Sequence, residues 1–139
     1  MTADKAAALD AAARRVGDRW SLRVIGALLD GEHTFGELAS AVDGIAPTIL
    51  TSRLRSLQRM ALVTSVPYET RPVRMRYGLT EPGRRLGASI ASLAEWGAGR
   101  EGRAPAQVHA ACGAAVEMRP WCPTCDRIVA EGVDDLIWC

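Results

Sequence analysis

Several common features are scarce or missing in this sequence of 139 residues, and each absence narrows the kind of protein that it encodes. No stretch approaches the roughly 20 consecutive apolar residues that a membrane-spanning helix requires. The start of the chain lacks the apolar run of a signal peptide, because Asp10 interrupts residues 6–13 and Arg14 and Arg15 follow. The sequence therefore predicts a cytoplasmic protein with no membrane partner.

Cysteine is absent from residues 1–111, and all four cysteines fall in the last 28 residues. In a cytoplasmic chain, such a cluster favours metal or redox chemistry over structural disulfides. The cluster also sets the end of the chain apart, because residues 100–107 contain Gly102 and Pro105 as breakers. We therefore expect a domain over 1–99, a linker over 100–107 and a cysteine-rich tail over 108–139.

An excess of charge of one sign is missing as well, since 17 basic and 16 acidic residues leave a net charge of only +1. Proteins that bind nucleic acids usually carry a basic excess. The near-neutral total, however, hides a polarised chain: residues 46–86 hold eight arginines and two glutamates, a net charge of +6. Residues 1–45 have a net charge of −2 and residues 107–139 one of −3. Attraction to phosphates depends on the local patch, so a nucleic-acid partner stays compatible with the total.

The periodicity of the apolar residues predicts a mainly α-helical domain with a small β-hairpin, an α+β class of fold. Asp18 is expected to cap the second helix and Thr80 the last one, while Thr34 and Glu37 form a capping box for the third. His33 is predicted to be a solvated turn residue just before the capping box. The predicted helices span 3–16, 18–29, 34–43, 47–60 and 81–97, and the predicted strands span 62–68 and 73–79 around a tip at 69–72.

A short helix, a turn containing Gly44, a longer helix and a β-hairpin occur in the order of a winged helix-turn-helix. On the longer helix, Leu50, Leu54, Leu57 and Ala61 share one sector of the helical wheel. The opposite sector holds Thr48, Ser52, Arg55 and Arg59, flanked by Thr51 and Ser56. An ordinary surface helix usually mixes acids with bases, but residues 46–60 contain no acid. Hydroxyls and guanidiniums on one face suit a helix in the DNA major groove.

The hairpin adds Arg71, Arg74 and Arg76, of which Arg74 and Arg76 share one face of the second strand. Such a wing, over 69–76, can follow the DNA backbone or enter a narrow minor groove.

Five segments in uninterrupted order resemble the HxlR-type winged-helix transcriptional regulators, which are MarR-like. They are Gly-Asp-Arg-Trp-Ser-Leu (17–22), Phe-Gly-Glu-Leu (35–38), Gly-Ile-Ala-Pro-Thr-Ile-Leu-Thr-Ser-Arg-Leu (44–54), Tyr-Gly-Leu-Thr-Glu-Pro-Gly (77–83) and Ala-Glu-Trp-Gly (94–97). The resemblance spans roughly residues 7–98. It implies a homodimer built through the first and last helices, which binds double-stranded DNA at a two-fold symmetric operator.

The same resemblance assigns particular positions to DNA contact. Those that match the recognition helix are Pro47, Thr48, Thr51, Ser52, Arg53 and Arg55, and Arg74 matches a wing arginine. Thiol-sensing members of the family carry a cysteine about 13 residues before the Trp of the first segment, where this chain has Ala7. That sensing mechanism is therefore not expected, although a small-molecule or redox effector stays open.

The tail contains two pairs of potential metal ligands, His109-x2-Cys112 and Cys122-x2-Cys125. This spacing is typical of a zinc ribbon, in which each pair sits on a tight turn and faces one ion. Gly113 follows the first pair, where such a turn favours glycine. Asp126 follows the second pair, where glycine would be typical. We expect one Zn²⁺ per chain, held by His109, Cys112, Cys122 and Cys125. Short strands are expected over 107–109, 114–118 and 127–130.

Other interpretations of the tail stay open. The thiols could form a disulfide or remain free, Cys139 is a rival fourth ligand, and oxidation of the cysteines could act as a redox switch. A catalytic zinc is not favoured, since neither an open coordination position nor a general base is evident, so the chain is not predicted to be an enzyme.

The leading hypothesis is a dimeric, sequence-specific DNA-binding regulator of transcription. The alternative is a protein-interaction module, in which the zinc-ribbon-like tail binds a partner and the winged helix serves only dimerisation.

Overall fold

The computed structural model describes residues 2–102, 107–117 and 119–129, and within them it contains five α-helices and five short β-strands. The helices are α1 (Ala3–Val16), α2 (Arg19–Leu29), α3 (Phe35–Ala41), α4 (Pro47–Arg59) and α5 (Glu81–Arg100). The strands are β1 (His33–Thr34), β2 (Val63–Thr70), β3 (Val73–Leu79), β4 (Trp121–Cys122) and β5 (Arg127–Ile128). The tandem helices α3 and α4, followed by the hairpin of β2 and β3, form the winged helix-turn-helix arrangement that the sequence predicts.

Local hydrogen bonds start the helices where the sequence predicts. The Asp18 carboxylate accepts hydrogen bonds from the backbone N–H groups of Trp20 and Ser21, which opens α2. Thr34 and Glu37 form a reciprocal capping box on α3. The capping prediction is therefore confirmed at both helices, and α4 begins on Pro47 with no side-chain cap from Ala46.

The core lies where α2, α3 and α4 meet the hairpin and the first half of α5. Its buried apolar side chains are Val16, Val24, Ile25, Leu28, Leu38, Val42, Ile45, Leu50, Leu54, Leu57, Val63, Leu79 and Ile90. On α5, Gly83 and Gly87 allow close packing, because a Cβ at Gly83 would collide with the carbonyl of Leu62 and one at Gly87 with the side chain of Leu29. This packing holds α5 against α2 and against the segment that leads into β2.

The sheet differs from the prediction in two respects. His33, which was expected in a solvated turn, lies in β1 and pairs with Tyr77, so β1, β3 and β2 form a three-stranded antiparallel sheet. Strand β2 runs on to Thr70 and pairs with β3 to the tip, so the predicted tip over 69–72 was too wide. A bulge between Pro67 and Glu69 absorbs one residue and lets both strands continue.

The last helix is longer than predicted. Gly97 and Gly99 favour an early end, yet α5 continues to Arg100, one residue into the predicted linker. Its second half leaves two large apolar side chains exposed, Leu93 and Trp96. Within the described residues, no helix is both long and apolar enough to cross a bilayer.

In the tail, the structure forms two short hairpins. The first is closed by a bridge between Val108 and Ala115, and the second pairs β4 with β5. Strand β4 was not predicted, and β5 ends at Ile128 rather than at residue 130. Residues 130–139, including Cys139, lie outside the described residues.

Candidate nucleic-acid interface

Helix α4 separates its apolar and polar side chains as the helical wheel predicts. Leu50, Leu54 and Leu57 are buried in the core, whereas Ala61, predicted in the same sector, lies past the end of α4 and is exposed. Thr48, Ser52, Arg55 and Arg59 are all exposed on the other side. Within the described residues, Arg55 and Arg59 make no ion pair with an acidic side chain, so their charge faces solvent uncompensated. This face can donate hydrogen bonds to phosphates or to base edges.

Two of the predicted contact residues of α4 also have partners within the protein. The Thr51 hydroxyl donates to the backbone oxygen of Pro47 at 2.9 Å. Arg53 is half-buried, and its Nη1 lies 3.3 Å from the Asp18 carboxylate, which also caps α2. Its Nε is buried and has no hydrogen-bond partner in the structure. Arg53 therefore joins α4 to the start of α2. The two residues lie 35 positions apart, so the contact is not evident from the sequence.

The Asp18 carboxyl responds to this environment. Burial alone would raise its pKa, but hydrogen bonds from Ser21 and Trp20 and the positive charge of Arg53 outweigh burial. The net result is a pKa below the ordinary value of an aspartate. The carboxylate is thus held in the charged form that both the helix cap and the ion pair require.

The wing presents its three arginines in different states. Arg71 lies exposed at the tip and, within the described residues, has no ion-pair partner. Arg74 is exposed but pairs with Glu69 across the hairpin at 3.2 Å, and contact with Tyr68 and Glu69 raises the pKa of its guanidinium. Arg76 is half-buried and lies 5.4 Å from the ring centre of Tyr68, whose side chain the sequence did not single out. It also donates a long hydrogen bond of 3.5 Å to the backbone oxygen of Glu32.

Six of the eight arginines of residues 46–86 fall into two groups. Arg53, Arg74 and Arg84 pair with Asp18, Glu69 and Glu81 respectively. Arg55, Arg59 and Arg71 have no such partner among the described residues. The second group is the part of the patch that is most available to an external phosphate.

The predicted metal ligands come together in pairs. His109 Nδ1 lies 3.3 Å from Cys112 Sγ on the first tail hairpin. On the second hairpin, the backbone N–H groups of Cys125 and Thr124 donate toward the Cys122 sulfur and lower the pKa of that thiol. No group of three or more His, Cys, Asp or Glu side chains able to hold a metal occurs within the described residues. The structure therefore brings each pair together but not the two pairs.

Comparison with known proteins agrees with the geometry of the domain. A family model described as HxlR-like helix-turn-helix matches residues 15–104, more than half of the chain. The chain is 38% identical over 123 residues to the HTH-type transcriptional regulator Rv3095 of Mycobacterium tuberculosis, a match that covers 85% of this chain and 77% of the relative.

Solved structures give the same result. A transcriptional regulator of the MarR family from Enterococcus faecalis has a TM-score of 0.62 and 33% identity, covering 73% of this chain and 93% of that one. The redox regulator HypR in its reduced form has a TM-score of 0.63 and 27% identity, covering 67% of this chain and 92% of that one. With the tandem helices α3 and α4 and the wing in place, the chain belongs to the HxlR family of helix-turn-helix proteins, which are DNA-binding regulators of transcription and not enzymes.

Proposed function

We propose that the protein acts as a homodimer that binds a two-fold symmetric operator, with α4 in the major groove of each half-site and the wing on the backbone or in the minor groove. The observation that carries this proposal is the outward face of α4. It joins the short hydroxyl side chains of Thr48 and Ser52 to the uncompensated guanidiniums of Arg55 and Arg59. Short side chains permit close approach of the helix, and arginines suit guanine edges and phosphates.

The wing arginines take different parts in this proposal. Arg71 at the tip reaches for a phosphate directly. Arg74 can exchange partners, because an ion pair with 58% and 47% exposed side chains contributes little to stability and a phosphate can replace Glu69. Arg76 supports the wing through its contact with Tyr68.

Arg53 serves chiefly to position α4. Its half-buried guanidinium is committed to Asp18, and through Asp18 to the first turn of α2. A helix that inserts into a groove must keep its angle while its outer side chains contact DNA. The Arg53–Asp18 contact supplies that constraint from the side of the helix turned toward α2.

The dimer is proposed from the apolar side chains that a single chain leaves exposed on its first and last helices. Leu9 of α1 is 60% exposed, and Leu93 and Trp96 of α5 are 51% and 65% exposed. Large apolar side chains that a helix leaves exposed are available to an interface with a second chain. The family resemblance implies a dimer interface built from the same two helices.

The direct test measures the salt dependence of DNA binding. A duplex is first selected from a random-sequence library with the wild-type protein, and affinity is then measured by fluorescence anisotropy over a range of salt concentrations. Each phosphate contact contributes about 0.9 to the slope of log K against log salt. Because a dimer carries two copies, Arg71→Ala should lower the magnitude of the slope by about two. Arg55→Ala should weaken binding, with relaxed sequence preference where the guanidinium contacts a base.

Arg84→Ala is the matched control, since this arginine of the same segment lies on α5, outside the recognition helix and the wing, and its guanidinium contacts Glu81 and the backbone of Leu79. It should leave the slope nearly unchanged. Equal slopes for all three variants and the wild type would contradict the placement of α4 and the wing. Failure of the wild type to retain any duplex would instead favour the protein-interaction module.

A further inference from the structure

The tail carries potential metal ligands that DNA binding does not use. Its two hairpins repeat one local design, in which two ligands lie three positions apart and a left-handed residue follows the second. Gly113 follows Cys112 with φ of +69°, and Asp126 follows Cys125 with φ of +49°. A residue other than glycine is uncommon in this region, although aspartate tolerates it better than most. A left-handed residue therefore follows the second ligand of each pair, and in the second pair that residue is not glycine.

The first turn places the two ligands of its pair close together. On the first hairpin, the backbone N–H groups of Cys112 and Gly113 both donate to the carbonyl of His109, at 3.2 and 2.7 Å. This turn leaves His109 Nδ1 and Cys112 Sγ 3.3 Å apart. Two ligands of a tetrahedral zinc ion, one nitrogen and one sulfur, lie roughly 3.5 Å apart given ordinary bond lengths. The first pair already has nearly the separation that zinc requires.

The donor set and the exposure of the side chains point to the same ion. One imidazole and three thiols form a closed set of the kind found in structural zinc sites. Cys112 and Cys125 are exposed and Cys122 is half-buried, so packing does not occupy these sulfurs. The two hairpins bury little apolar surface, since Val108, Trp121 and Ile128 are all more than half exposed. A segment with so small a core gains order when it binds a metal.

We propose that His109, Cys112, Cys122 and Cys125 together bind one Zn²⁺ per chain and that the ion draws the two hairpins together. On binding, each of the three thiols loses its proton to solvent and each sulfur donates an electron pair to zinc, while the neutral imidazole donates one from nitrogen. The divalent ion and the three released protons change the net charge of the tail by −1. No oxidant or reductant takes part. The site shares no residue with the proposed operator contacts, so it does not depend on them.

The experiment measures metal content and coordination in the full chain purified under reducing conditions. After incubation with excess ZnCl₂ and gel filtration, elemental analysis should give about one zinc per chain. Replacement by Co²⁺ should give the visible absorption of tetrahedral thiolate coordination. Cys112→Ser, Cys122→Ser and Cys125→Ser should each lower zinc affinity by at least tenfold in competition with a chromophoric chelator, and His109→Ala should do the same.

Two controls separate the ligands from the other residues of the same type. His33→Ala removes the histidine of β1, and Cys139→Ser removes the cysteine at the last position of the chain. Both should retain wild-type zinc content. Loss of zinc in Cys139→Ser together with retention in His109→Ala would overturn the assignment of His109 in favour of four cysteines.

Three other outcomes would contradict the proposed zinc site as a whole. These are less than a tenth of an equivalent of zinc with all thiols titratable, a disulfide that survives the reducing purification, or a metal other than zinc. Far-UV circular dichroism of each variant checks that the helical domain remains folded. Because that domain ends before residue 107, a variant that loses zinc and keeps its helices reports on the site itself.

Discussion

The Asp18–Arg53 contact gives the sharpest test of how the recognition helix is held, because one carboxylate performs two tasks that substitutions can separate. Asp18 accepts hydrogen bonds from Trp20 N and Ser21 N at 3.1 and 3.0 Å, and it pairs with Arg53 at 3.3 Å. Asn is as good a helix cap as Asp but carries no charge. Asp18→Asn therefore removes the ion pair and keeps the cap, whereas Asp18→Ala removes both.

The structure sets the expected magnitudes. A lost N-cap costs about 1 kcal/mol. The ion pair joins side chains that are 34% and 36% exposed, so solvent screening limits its contribution to about 0.5 kcal/mol. We expect Asp18→Asn to lower the free energy of unfolding by about 0.5 kcal/mol and Asp18→Ala to lower it by about 1.5 kcal/mol, the sum of these two contributions. Urea denaturation followed by circular dichroism, at one fixed protein concentration, measures both.

The pH dependence of stability provides a second test of the same contact. Because the pKa of Asp18 is lowered in the folded state, the contribution of its charge is complete above the ordinary pKa near 4 and is lost as the pH falls through the lower folded value. The difference between wild type and Asp18→Asn should therefore be constant from pH 5 to 7 and shrink below about pH 4. Equal losses in the two variants, or a difference that grows in acid, would refute the division into cap and ion pair.

Two further substitutions test the packing and the proposed dimer. Gly83→Ala should destabilise the fold by about 1–2 kcal/mol, because its Cβ meets the backbone of Leu62. Gly26→Ala, in the middle of α2, is the control, because a Cβ there meets nothing within 4 Å. In the same urea assay it should be neutral or stabilise the fold by up to about 1 kcal/mol. A larger loss of stability in Gly26→Ala than in Gly83→Ala would contradict the packing described. Leu93→Glu should convert a dimer to a single chain of 14.9 kDa in sedimentation equilibrium, while Val66→Glu, at a similarly exposed residue of the wing, should not. A dimer that persists in Leu93→Glu would place the interface elsewhere.

The sequence was most informative where the determinants of structure are local. The caps at Asp18, Thr34 and Thr80 act within three or four residues, and each begins its helix at the predicted position. The amphipathic pattern of α4 likewise depends only on its own residues, and its burial follows the pattern. Fold class and recognition helix were predictable for this reason.

Long-range contacts were not predictable in the same way. Strand β1 has two residues and exists because His33 and Thr34 pair with β3, more than 40 positions later in the chain. The end of α5 was placed too early, because glycine weakens a helix but does not have to end it. For the tail, the ligand spacing predicts each turn, but whether the two hairpins meet depends on an ion that the sequence only suggests.

The arginines show how the structure changes the meaning of a charge count. Composition treats the eight arginines of residues 46–86 alike, but the acids of the fold hold three of them. An arginine that pairs with a half-buried acid, as Arg53 does, helps to fix the position of its helix. An arginine without a partner, as Arg55 is, contributes an attraction to phosphate that salt screens. Mutation of Arg53 should therefore lower stability and DNA affinity together without a large change in salt slope, whereas mutation of Arg71 should change the slope and leave stability nearly unchanged. The two kinds of arginine can thus be separated by the same pair of measurements.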